Sequence, residues 1–75
     1  MDTSITLKLN RDQALVLFEW LATAEENDQL GFHHPAEERV VWQLQGQLEK
    51  VLAEPFCPEY AELLKKARTA IAPDA

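Results

Sequence analysis

Ser4-Ile5-Thr6-Leu7-Lys8-Leu9-Asn10-Arg11-Asp12-Gln13-Ala14-Leu15-Val16-Leu17-Phe18-Glu19-Trp20-Leu21 changes its hydrophobic period part-way along. Up to Leu9, polar and apolar residues alternate with period two, the pattern of a half-buried β-strand. After Asn10 the apolar positions fall at helical spacing: Ala14, Leu17, Phe18, Leu21 and Ala24. Asn10 is a good N-cap, Gln13 stands three residues on as in a capping box, and Asp12 complements the positive helix end. A strand at about 4–9 and a helix at about 11–27 follow from this. Leu15, Val16 and Trp20 widen the apolar face of the helix beyond one stripe, which predicts burial on more than one side.

Everything after the strand reads as helix. Asn27 to His34 is a connection in which Gly31 suits a left-handed turn, while Leu30 and Phe32 fold back on the core. Pro35 suits the first position of a second helix at about 35–53, with Glu37 and Glu38 in its first turn. Val41, Leu44, Leu48, Val51 and Leu52 form its buried face, flanked by Val40 and Trp42. Gly46, inside that helix, costs about 1 kcal/mol against alanine and either admits a close neighbour or is simply tolerated. Pro55-Phe56-Cys57-Pro58 is a stiff corner with Phe56 as the expected anchor between helices two and three. Pro58 suits the start of a third helix at about 58–72, striped by Tyr60, Leu64, Ala67 and Ile71. The expected fold is mainly α, a single domain of 1–75 in the order β-α-α-α.

A lone strand leaves a row of backbone donors and acceptors without partners, and such an edge recruits another strand. The simplest complement is the same strand of a second copy. A homodimer is therefore expected, its interface drawn from Ile5, Leu7, Leu9, Leu15 and Trp20. Chain size points the same way, because 75 residues bury only roughly 60–65% of their unfolded surface. Cys57 is the single cysteine, so no disulfide supplements the core, and a reducing, cytoplasmic setting is expected. No signal-peptide pattern is present and no apolar run approaches the roughly 18 residues of a membrane span. A net charge of −6 disfavours direct nucleic-acid binding, which needs clustered Lys and Arg.

The stretches Leu7–Leu21, Ala36-Glu37-Glu38-Arg39-Val40-Val41-Trp42 and Leu48-Glu49-Lys50-Val51-Leu52-Ala53-Glu54-Pro55-Phe56 resemble a set of small uncharacterised bacterial proteins. The resemblance spans most of the chain. It implies a bacterial, intracellular origin and carries over no activity.

Catalytic chemistry has little to draw on. Ser4 and Cys57 are the sole serine and cysteine, and two glycines cannot make a phosphate-cradling loop. Cys57 stands near a helix start, which can activate a thiol, yet a nucleophile also needs a base and an oxyanion site. The reading is non-enzymatic, with no cofactor. His33 and His34 lie among Glu25, Glu26, Asp28, Glu37 and Glu38, and imidazole with carboxylate can hold a divalent metal. Against that, no spacing fixes a ligand geometry, and a solvated loop explains the pair as well. From Asp12 to Glu38 there are seven acidic residues and no Lys or Arg. Glu25, Glu26 and Asp28 oppose the helix dipole, so they are the candidate docking surface for a basic protein, with a solvated face as the plainer alternative. Two other functional classes fit the composition: an inhibitor or immunity-type protein masking a nucleic-acid-binding or nuclease site, and a metal-binding role for the histidine loop. Trp20 and Trp42 read as core or dimer interface rather than a ligand pocket.

Overall fold

The helical part of the chain starts where Asn10 caps it. In the computed structural model, which describes residues 3–75, α1 runs Arg11–Glu26, α2 Pro35–Val51 and α3 Tyr60–Ile71, with a 3-10 turn at Glu54–Phe56. The capping box of α1 is complete: the Gln13 N–H donates to Asn10 Oδ1 at 2.8 Å, and the Asn10 N–H donates to Gln13 Oε1 at 3.0 Å. At its other end the Asp28 N–H donates to the Glu25 carbonyl (3.1 Å) and the Gln29 N–H to the Ala24 carbonyl (2.8 Å). That paired pattern is a Schellman closure, and it requires a left-handed residue at its centre. Asp28 takes that conformation with φ 53°, and Gly31, expected to do so, does not. The turn had to come directly at the end of the helical ladder, three residues before the glycine.

His34 caps α2, its Nδ1 accepting from the Ala36 N–H at 3.0 Å ahead of Pro35. Glu37 Oε1 reaches back to accept the His33 N–H at 2.6 Å. The third helix starts at Tyr60 rather than Pro58. Cys57 is extended, as the residue before a proline tends to be, so Pro58 and Glu59 are used in turning the chain.

The central element is α1, which packs on α3 and on α2, while α2 and α3 flank it with little contact between them. This explains the broad apolar face of α1 within one chain. Ala14, Leu15, Leu21 and Ala24 are buried, and Val16, Leu17 and Phe18 half-buried, because neighbours lie on two sides. Leu48, Leu52, Leu64 and Ala67 complete the core. Of these eight buried side chains three are alanines, which add little apolar area, so five leucines supply most of the burial. The radius of gyration is 13.8 Å, against about 11 Å for a compact domain of this length.

Two further expectations need correcting. Residues 4–9 form no strand in the single chain, because a strand needs a ladder and the rest of the fold is helix and turn. Phe56 is not an anchor: it is 72% exposed at the outer corner of the 3-10 turn. The corner is held instead by Glu54, whose carboxylate accepts two hydrogen bonds from the Arg11 guanidinium at 2.9 and 2.6 Å. Gly46 has nothing within 4 Å of where a Cβ would lie, so no neighbour requires it. Among the described residues no helix is long and apolar enough to cross a membrane.

Candidate interaction surface

The apolar face of α2 is only partly used by the core. Leu48 is buried and Val41 half-buried, but Leu44 and Val51 on the same face are exposed, Val51 at 67%. Beside them runs the N-terminal arm, residues 3–9, exposed throughout. Ile5, Leu7 and Leu9 of the arm line an open groove of about 480 Å³ with Leu17 of α1 and Leu44 and Val51 of α2. The arm flanks this groove without filling it: Ile5 and Leu7 remain 88% and 81% exposed. In a fully extended conformation, period-two spacing would set Ile5, Leu7 and Leu9 on one side of the arm and Thr6 and Lys8 on the other.

Total area makes the same point for the whole chain. A folded monomer of 8.5 kDa exposes roughly 4,650 Å². This chain exposes 6244 Å². The difference, roughly 1,600 Å² against the size scaling, is about twice the ~800 Å² that each partner contributes to a standard interface.

Of the five residues expected at a dimer interface, the structure places Ile5, Leu7 and Leu9 on this groove and Trp20 on the exposed surface of α1. Leu15 lies elsewhere, 3% exposed in the core, because α2 and α3 already enclose α1. Leu44 and Val51, whose spacing predicts burial on the inner face of α2, instead line the groove. Nothing in their spacing distinguishes a residue the core will bury from one it leaves exposed.

The acidic residues are only partly free. Glu25 Oε1 accepts the Trp42 indole N–H at 2.6 Å and so ties α2 to the end of α1. Glu26 and Asp28 stay exposed. Glu19 is a structural acceptor for the Tyr60 hydroxyl at 2.7 Å and the Thr23 hydroxyl at 2.8 Å. Burial, reinforced by the hydrogen bond to Glu19 and its charge, pushes the Tyr60 hydroxyl well above the usual phenol range. The Glu54 carboxylate is held below its ordinary value, first by the hydrogen bond from Arg11. None of these long-range pairs has a sequence signal; only Glu19–Thr23, at i and i+4 on one helix, could have been anticipated.

In the histidine loop, His34 directs Nδ1 at the Ala36 amide and His33 is exposed beside it. Glu37, the nearest carboxylate in sequence, is turned to the His33 backbone. No group of three or more His, Cys, Asp or Glu side chains that could hold a metal ion occurs among the described residues. Cys57 is half-buried, its Sγ donating to the Ala53 carbonyl at 3.6 Å.

No family model, curated protein or solved structure matches this chain.

Proposed function

We propose that this chain is a small non-enzymatic interaction module of the cytoplasm that works as a homodimer, joined through its N-terminal arm and the groove beside it. The observation that carries this reading is the uncovered apolar surface. The chain exposes about a third more area than its mass calls for, and large aliphatic side chains converge on one groove. Pairing of the arms also explains why residues 4–9 keep a strand pattern with no ladder of their own. The acidic end of α1 then serves as the docking face for a basic partner. Supporting this, Glu26 and Asp28 are exposed, oppose the helix dipole, and lie between Asp12 and Glu38, a stretch with no Lys or Arg.

Light scattering with dilution tests the assembly. A mass near twice 8.5 kDa that falls on dilution is expected, and a monomer at all concentrations overturns the reading. For the docking face, Glu26→Gln with Asp28→Asn leaves the dimer intact and weakens low-salt binding of a lysine-rich probe peptide. Unchanged peptide affinity removes the acidic end from the proposal.

A further inference from the structure

We propose a specific register for the dimer: the arms of two copies pair as an antiparallel ribbon centred on Leu7, with Ile5 opposite the partner's Leu9. This rests on the homodimer reading above and adds the pairing to it. Two copies of one surface meet through a two-fold axis, so in an antiparallel ribbon the same residue of each copy sits at the axis. Opposite residues share a face, and a shift of one changes which side chains meet. With Leu7 at the axis, three apolar pairs form on one face: Ile5 with Leu9, Leu7 with Leu7, and Leu9 with Ile5. On the other face Thr6 lies opposite Lys8, so the two lysines stay apart.

The neighbouring symmetric registers are worse. Centring on Lys8 sets two like charges directly opposite each other and leaves two apolar pairs. Centring on Thr6 also leaves two, and sets Leu9 against Thr3. A parallel, in-register pair would again place Lys8 against Lys8. An isolated two-stranded ribbon is marginal in water and needs a packed face. The groove offers that face, since Ile5, Leu7 and Leu9 line it together with Leu17, Leu44 and Val51. In the antiparallel pair the apolar sides of both arms face one way, so the helices of both copies lie beneath the same face of the ribbon.

Cysteine cross-linking of the full chain tests this, with Cys57→Ser removing the native thiol. Under mild oxidation Leu7→Cys is expected to cross-link several-fold faster than Thr6→Cys or Lys8→Cys alone. Mixing Thr6→Cys chains with Lys8→Cys chains restores fast cross-linking and keeps every apolar arm residue, so loss of Leu7 cannot mask the result. Fastest reaction at position 6 or 8 alone, or equal rates at all positions, overturns the register. A chain that dimerises but cross-links at no arm position overturns this inference while the homodimer stands. A chain that stays monomeric overturns both.

Discussion

Val51→Ser separates the proposed interface from the fold of the single chain. Val51 ends α2, lines the groove and keeps 67% of its surface in solvent, so the isolated chain relies on it little. Full burial of a valine or similar side chain contributes about 1.5–3 kcal/mol, and about two-thirds of that, roughly 1–2 kcal/mol, is still available to a partner. A two-fold interface uses the residue twice, so loss of both copies weakens dimerisation by roughly 2–4 kcal/mol. At about 1.4 kcal/mol per decade this raises the dimer dissociation constant roughly 30- to 700-fold. Sedimentation equilibrium over a dilution series measures the constant, and circular dichroism at low concentration checks that the helices remain. Phe56→Ser is the control, because Phe56 is similarly exposed but lies outside the groove. An unchanged constant for Val51→Ser, or an equal loss for Phe56→Ser, would refute the assignment of the interface to the groove.

Gly46→Ala should stabilise the chain by about 0.5–1 kcal/mol, since a Cβ meets nothing within 4 Å and the residue is mid-helix. For a chain this short that is a rise of roughly 2–8 °C in Tm, measurable by thermal melting. Asp28→Gly should also stabilise, by about 1 kcal/mol, because it relieves a left-handed side chain and removes a negative charge from a helix C-terminus; a lower Tm would contradict the Schellman assignment. Acid should weaken the corner between α2 and α3. The folded pKa of Glu54 is lowered, so its contribution is present above the ordinary carboxylate value near 4.5 and is lost as pH falls through the lower folded value. Glu54→Gln should therefore flatten part of the stability loss below pH 4.5, read from urea midpoints across pH.

Local signals in this sequence were strong where one short stretch decides the outcome. Asn10 and Gln13 sit three apart, and that spacing alone closes two hydrogen bonds at the start of α1. Pro35 with acidic residues behind it likewise placed the start of α2. Sequence pattern is silent where the outcome depends on what lies across the fold. Leu15 and Val51 are both large aliphatics at helical spacing, yet one is enclosed by two helices and the other by none. Phe56 had the stiff setting of an anchor, but Arg11, 43 residues away, took hold of the corner through Glu54 instead. The arm is the sharpest instance. Its period-two pattern is a statement about two faces in different surroundings, and a single helical chain supplies only a groove with no ladder. A strand pattern beside an unfilled apolar groove is coherent if the missing half of the ladder comes from a second copy. The pattern and the uncovered groove therefore bear on the same question, and a register-specific cross-link answers it at the level of individual residues.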